Sequence, residues 1–145
     1  VPVRESDPFT AAAERAGIDP IFIAPAKASR EVLEGVAANS RGYIYAISRD
    51  GVTGAENEAT VEGLREVVDN VQSFGGAPVL LGFGISRPEH VRDAIAAGAA
   101  GAITGSAITN IIDKYVVDNR VENMDGLKRE LSDYVGAMKQ ATIAS

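Results

Sequence analysis

Short apolar runs alternate with amphipathic helical patterns along most of this chain. The strand-like runs lie at residues 21–24, 42–47, 78–81 and 101–104. After each run, apolar residues recur at helical spacing, as Val32, Leu33 and Val36 do after the first one. Such alternation predicts parallel strands joined by right-handed helical crossovers, in either an open doubly wound sheet or a (β/α) barrel.

Several helix ends carry signals of their own. Ser29 is placed to cap the helix after the first strand-like run. Ser86 and Glu89 have the spacing of a capping box. Pro88 suits the first turn of the same helix, which Gly98 is predicted to end.

Both ends of the chain carry helical patterns. Residues 1–3 read as the tail of a strand, and a helix predicted from Asp7 ends at Gly17. A stripe near the other end is predicted to be core packing for a terminal helix: Met124, Leu127, Leu131, Tyr134, Val135 and Met138. The strand units number about half of the eight in a TIM barrel. We therefore predict an α/β fold of the TIM-barrel type, a C-terminal half-barrel of about four parallel strands with flanking helices, forming a single domain over residues 1–145.

Composition argues against several functional classes. The net charge of −6 and the lack of a basic stripe oppose nucleic-acid binding. No apolar stretch approaches the roughly 18 residues that span a bilayer, so no membrane partner is expected. Cysteine is absent, which removes thiolate metal sites and makes a cytoplasmic location the simplest expectation. A small anionic ligand is compatible with the charge, since local dipoles would hold it.

Glycine-bearing turns follow the last three strand-like runs. They are Gly51–Glu56, Gly82–Ser86 and Thr104–Ile108, and each stands shortly before a helical pattern. Glycine lets backbone N–H groups approach an anion closely, and a helix N-terminus adds unpaired donors and a favourable dipole. Together the turns predict a site for one phosphate group.

The residues of these turns, in their order, resemble the tryptophan synthase alpha chain family. The matching segments are residues 1–6, 20–25, 41–49, 51–56, 82–86, 98–103 and 105–108, over essentially the whole chain. The resemblance implies a (β/α) barrel that cleaves indole-3-glycerol phosphate to indole and glyceraldehyde 3-phosphate. It also implies that indole passes to a beta-chain partner. No cofactor is expected, and the lack of cysteine and the single histidine argue against a metal site. This chain would hold the last four strands of the barrel.

The same resemblance assigns site residues. By match, the substrate phosphate is held by Gly54, Gly84, Gly105 and Ser106. The wall around the indole would be formed by Ile23, Tyr45, Phe83 and Ile103. Thr53 matches a position on the mobile loop that closes over the substrate. The family's two catalytic carboxylates come from early strands without a counterpart here, so we expect these residues alone to bind poorly and not to turn over.

Two other functions stay open. One is a non-catalytic half-barrel that binds a phosphate ligand. The other is another phosphate-binding barrel family, such as the half-barrel-built enzymes of histidine synthesis, against which the Gly51–Glu56 loop argues. An open half-barrel also exposes strand edges and apolar faces, which predicts self-association into a closed dimer or poor solubility.

Four further residues have structural interpretations. Glu56 is predicted to cap or brace its loop, because a carboxylate beside a phosphate would repel it. His90 is predicted to be solvated on a helix surface. Tyr43 and Tyr45 alternate on one strand and should point to opposite sides. The family match, and not the periodicity, places Tyr45 toward the barrel interior.

Overall fold

A parallel sheet is the centre of the fold. The computed structural model describes residues 3–47, 61 and 63–143. Within them, the sheet has the order β1-β2-β3-β4 and consists of β1 (Ile23–Pro25), β2 (Ile44–Ile47), β3 (Val79–Gly82) and β4 (Gly101–Ile103). Every neighbouring pair is parallel. The four predicted parallel strands are therefore confirmed, each with its sequence neighbour beside it.

Helices connect the strands and cover one face of the sheet. They are α1 (Asp7–Ala16), α2 (Arg30–Asn39), α3 (Leu64–Ser73), α4 (Pro88–Ala96), α5 (Ser106–Asp113) and α6 (Met124–Gln140). The predicted cap of α2 is present, since the Ser29 hydroxyl oxygen accepts a hydrogen bond from the Val32 N–H at 3.3 Å. Gly17 ends α1 as predicted. Among the described residues, no helix is long and apolar enough to cross a membrane.

The hydrophobic core lies between this face of the sheet and the helices. Strand residues alternate in burial, with Ile44 and Ala46 buried on β2 while Tyr45 and Ile47 are only half-buried. Leu81 on β3 is likewise fully buried. The helices contribute to this core the residues Leu33, Val36, Val67, Val68, Val71, Val91 and Ala94. Burial of these side chains fixes which face of each strand meets the helices.

The other face of the sheet is open. Ile23, Tyr45 and Leu80 are register partners across β1, β2 and β3, so their side chains share this face. Ile23 is 54% exposed. The Tyr45 ring lies where a side chain at residue 82 would stand, so Gly82 gives the ring its room. The structure thus places Tyr45 on the face that would be the interior of a barrel.

Two predictions about α4 are corrected. Ser86 is not its cap: the N-cap residue is Arg87, which makes no side-chain capping bond, although Pro88 does occupy the first turn. His90 is not on the surface, because only 6% of it is exposed. The two corrections have one cause, since His90 Nδ1 accepts a hydrogen bond from the Ser86 N–H at 3.2 Å. The imidazole therefore turns inward and Ser86 lies outside the helix.

The chain ends also differ from their predictions. Val3, the one described residue of the predicted strand tail, begins a turn of 3-10 helix (Val3–Glu5) instead, and residues 1 and 2 lie outside the described residues. Val3 packs where a side chain at residue 35 would stand. The stripe on α6 is only partly core: Leu127 and Met138 are buried, whereas Met124 and Val135 are about half exposed. A single helix face cannot bury both edges of so wide a stripe.

A small hairpin between α5 and α6 was not predicted. It pairs β5 (Val116–Val117) with β6 (Arg120–Val121) in antiparallel register. The turn residues Asp118 and Asn119 both have positive φ, 48° and 60°. This is the geometry of a two-residue type I′ turn, for which Asp and Asn are favoured residues. Their position directly after two adjacent valines was the signal in the sequence.

We expect the 145-residue chain on its own to self-associate through the open face. In the described part of the sheet, β1 and β4 are edge strands with unpaired backbone groups. Sedimentation or light scattering across a concentration series should show mass growing with concentration. Ile23→Lys should reduce the association, whereas Ile18→Lys, which alters a comparably exposed residue outside the sheet, should not. A stable monomer at high concentration would contradict this expectation.

Candidate functional site

A cavity of about 150 Å³ lies at the carboxyl ends of β2, β3 and β4. Its lining consists of Tyr45, Phe83, Gly84, Ile85, Ile103, Gly105 and Ser106. In parallel α/β architectures, ligands bind at this end of the strands, because the loops that follow the strands converge there. Larger cavities of about 360, 420 and 460 Å³ lie elsewhere on the chain. Of these four cavities, the small one alone is lined by glycines of two predicted turns, Gly84 and Gly105, and by the first residue of a helix, Ser106.

The turn after β3 holds an unusual backbone conformation. Phe83 has a φ of 90° and Gly84 a φ of 72°. Positive φ is natural for glycine but costs about 1–3 kcal/mol for other residues, and such residues cluster at ligand sites. The conformation lets Phe83 line the cavity beside Gly84. The strain at Phe83 is therefore an observation in favour of a site at this turn.

The turn after β4 leads directly into a helix N-terminus. Gly105 is the N-cap residue of α5 and Ser106 is the first residue of the helix. Within the described residues, the N–H groups of Gly84, Gly105 and Ser106 donate to no backbone carbonyl. A Cβ added at Gly105 would meet nothing within 4 Å, so the space in front of this backbone is open. Unpaired backbone donors and the N-terminal end of a helix dipole thus lie beside open space at Gly105.

The electrostatics of the cavity come from the backbone. No acidic or basic side chain lies in its lining among the described residues. An anion would be held by N–H groups and by the dipole of α5, as at other helix N-termini. Beside these donors, Tyr45, Phe83 and Ile103 form an apolar wall. The arrangement suits a ligand with an anionic end and an apolar, planar end.

Most of the site residues predicted from the sequence come together here. Six of them line the cavity: Tyr45, Phe83, Gly84, Ile103, Gly105 and Ser106. Ile23 lies on the same face of the sheet, one strand beyond Tyr45, but it does not line the cavity. Thr53, Gly54 and Glu56 lie outside the described residues. Ile85 was not predicted, although its place directly after Gly84 in the turn was a signal.

Glu130 on α6 holds the C-terminal end of α5. One carboxylate oxygen lies 2.5 Å from Lys114 Nζ, and the other accepts a hydrogen bond from the Tyr115 hydroxyl at 2.8 Å. Both hydrogen bonds lower the pKa of Glu130, and the bond from Lys114 has the larger effect. The bond to Glu130 in turn raises the pKa of Lys114 and that of Tyr115. Solvent screens the cluster, so its main effect is to orient α5 on α6.

Comparison with known proteins decides the family. The family model described as tryptophan synthase alpha chain matches residues 1–143. The chain belongs to the tryptophan synthase alpha chain family. It is 63% identical to the tryptophan synthase alpha chain of Corynebacterium glutamicum and 66% identical to that of Corynebacterium aurimucosum. Each alignment covers 98% of this chain but only 52% and 51% of those relatives. The chain thus spans about half the length of the tryptophan synthase alpha chains that it matches.

Solved structures confirm the fold. A structure of Mycobacterium tuberculosis tryptophan synthase superposes on 98% of this chain and 49% of its own, with a TM-score of 0.74 and 28% identity. A structure of the tryptophan synthase a2b2 complex from Pyrococcus furiosus covers 93% of this chain and 52% of its own, with a TM-score of 0.70 and 28% identity. The predicted half of a tryptophan synthase alpha TIM barrel is therefore correct. In that barrel, the cavity described above lies at the carboxyl ends of the last strands.

Replacing Gly105 by Ala should weaken phosphate binding more than it lowers the free energy of unfolding. The space beside Gly105 is open and its φ of −130° suits any residue, so the free energy of unfolding should fall by no more than about 1 kcal/mol, the typical cost of alanine at an N-cap. A methyl group would instead occupy the volume that the anion needs. We expect the affinity for inorganic phosphate, measured by calorimetry, to fall about tenfold, which corresponds to about 1.4 kcal/mol.

Gly136→Ala is the matched control, because this glycine also has nothing within 4 Å of an added Cβ and lies on α6 away from the cavity. It should leave phosphate affinity unchanged. Equal affinities for the two variants would argue against an anion in front of Gly105.

The Glu130 cluster should make stability depend on pH in a defined direction. The lowered pKa of Glu130 means that its contribution is present above the ordinary value of 4.5 and is lost as pH falls through the folded-state value. The raised pKa values of Lys114 and Tyr115 mean that their contribution is lost only as pH rises through the alkaline range. Glu130→Gln should therefore lower the melting temperature near neutral pH, and this effect should shrink in a second measurement at a pH below 4.5. The same loss at both pH values would contradict the assignment.

Proposed function

We propose that this chain forms the phosphate-binding half of a tryptophan synthase alpha chain, a lyase that cleaves indole-3-glycerol phosphate to indole and glyceraldehyde 3-phosphate. The single observation that carries this proposal is the cavity in which an apolar wall stands beside free backbone donors. Its two parts match the two ends of that substrate. Family membership supplies the reaction, and the cavity supplies the place for the substrate.

The phosphate end of the substrate would lie at the two described glycine turns. Gly84, Gly105 and Ser106 offer backbone N–H groups, and Ser106 adds a hydroxyl at the start of α5. Charge-assisted hydrogen bonds to a phosphate are about twice as strong as neutral ones. Gly54, which the family match also assigns to this phosphate, would complete the set. A small dianion would thus be held without a lysine or arginine from the described lining of the cavity.

The indole end would lie against the apolar wall. Phe83 and Tyr45 present half-buried rings beside Ile103, and aromatic rings stack favourably on a planar indole. Ile23, on the neighbouring strand, would extend the same wall. Thr53 would lie on the loop that closes over the bound substrate. Closure excludes water and strengthens the electrostatic interactions around the reacting ring.

The chemistry itself needs groups from the other half of the barrel. The family's catalytic Glu and Asp belong to its early strands, and no acidic side chain lines the cavity among the described residues. Proton transfer requires a group within hydrogen-bond reach of the proton that moves. We therefore propose that these residues bind and orient the substrate and that the N-terminal half carries out the proton transfers. The beta chain would receive the indole from the completed barrel, in the cytosolic compartment that the absence of cysteine favours.

A two-part assay tests this function. This chain would be mixed with the N-terminal half of the Corynebacterium glutamicum alpha chain to form a complex of the two halves, the completed protein. The completed protein should release indole from indole-3-glycerol phosphate, whereas neither half alone should. Ser106→Asp, which places a carboxylate where the phosphate would lie, should raise KM by at least about tenfold because like charges at this distance repel.

Two outcomes would count against the lyase proposal. One is a folded one-to-one complex, verified by circular dichroism and mass, that releases no indole. The other is an unchanged KM in Ser106→Asp. A folded complex that binds glycerol 3-phosphate without releasing indole would instead support a non-catalytic module for phosphate ligands.

A further inference from the structure

A chain of hydrogen bonds joins α6 to both glycine turns of the cavity. The Thr104 hydroxyl donates to the Ile85 carbonyl at 2.8 Å. The same hydroxyl lies 2.9 Å from the Tyr134 hydroxyl. Thr104 directly precedes Gly105, and Ile85 directly follows Gly84. The side chains of Thr104 and Tyr134 thus connect the two turns. In each turn the hydrogen bond is made one residue away from a glycine assigned to the phosphate.

Two hydroxyl protons serve three contacts in this chain, and either hydroxyl can donate in the contact between Thr104 and Tyr134. In the arrangement in which the Thr104 proton goes to the Ile85 carbonyl, the Tyr134 proton serves the bond between the two hydroxyls. The Ser86 carbonyl, at 3.2 Å from the Tyr134 hydroxyl, is a second and longer acceptor for the same proton. Tyr134 therefore points at both turns and has no proton left for another partner. Bonds in such a chain polarise and strengthen one another.

The peptide groups around Ser86 are held from two sides. The Ser86 carbonyl faces Tyr134, and the Ser86 N–H donates to the buried His90 ring at 3.2 Å. Tyr134 itself is half-buried and packs against the hydrophobic core. The turn in which Phe83 adopts its strained φ is therefore anchored to α4 and α6. Strained backbone persists only where the surrounding contacts determine it, and these contacts do so here.

We propose that Tyr134, acting through Thr104, is a positioning residue that sets the distance between the two phosphate-binding turns. The proposal rests on the function proposed above. A phosphate bridging the turns needs N–H groups from Gly84 on one side and from Gly105 and Ser106 on the other at a fixed separation. Tyr134 touches neither the phosphate nor any reacting atom. Its hydroxyl holds the two sides in register before the ligand arrives, so that less ordering is needed on binding.

The test compares two tyrosine hydroxyls in the completed protein. Tyr134→Phe removes only the hydroxyl that joins the turns. The Kd for glycerol 3-phosphate and the KM for indole-3-glycerol phosphate should both rise by roughly three- to tenfold, the range expected for one hydrogen bond. We expect kcat to stay within about twofold, because the interaction acts on ground state and transition state alike. Indole, which has no phosphate, should bind with unchanged Kd.

Tyr115→Phe is the matched control. It removes a hydroxyl that binds the same helix, α6, where the partner is Glu130 and no glycine turn is involved. It should leave the Kd for glycerol 3-phosphate unchanged. Thr104→Val should reproduce the loss seen in Tyr134→Phe, Thr104→Ser should restore most of the affinity, and the double variant should bind no more weakly than the worse single variant.

Failure of this proposal differs from failure of the proposed function. If the unsubstituted completed protein binds no glycerol 3-phosphate, the function falls and the positioning role falls with it. If the unsubstituted protein binds while Tyr134→Phe binds equally well, only the positioning role is overturned. That role is also overturned if Tyr134→Phe weakens indole and glycerol 3-phosphate equally, or if Thr104→Ser binds as weakly as Thr104→Val. The two Thr104 variants keep the role testable even if Tyr134→Phe does not fold.

Discussion

The parallel register of the sheet is the constraint on which the candidate site depends. Because β2, β3 and β4 run in the same direction, the turns that follow them leave the sheet at the same edge. Burial of alternate residues against the helices prevents a slip of one position, which would reverse the faces of a strand. The core therefore places Tyr45, Phe83 and Ile103 around one cavity, although they come from separate parts of the chain.

The site combines backbone turns that are locally unfavourable with contacts from outside the cavity that hold them in place. The turn after β3 carries a phenylalanine at positive φ, and the turn after β4 opens a helix without any side-chain cap. Both features cost stability locally, and the N–H groups of Gly84, Gly105 and Ser106 have no backbone acceptor among the described residues. The compensation lies outside the cavity, in Thr104, Tyr134 and the buried His90. Binding and support are thus divided between the strand ends and the outer helices.

Sequence patterns predicted the secondary-structure elements better than they predicted the burial and the contacts of individual side chains. The strands, the cap at Ser29 and the end of α1 at Gly17 follow from local propensity, and the structure confirms them. The capping box at Ser86 failed because His90, a neighbour in space, binds the Ser86 N–H instead. Met124 and Val135 failed as core residues because one face of α6 cannot bury both edges of so wide a stripe. Local spacing indicates what a residue can do, and packing decides among these choices.

The sequence by itself determined the family, the order of strands and helices, and the glycine turns at which an anion could be held. These features depend on residue types at short spacing, which determine periodicity, turn geometry and helix ends. Only the tertiary structure decided that Ile23 stands outside the cavity, that His90 is buried, and that Tyr134 reaches both turns. These outcomes depend on distances between residues far apart in the chain, such as the 30 positions that separate Thr104 from Tyr134. No periodicity encodes such a distance, because it arises from the way whole elements pack.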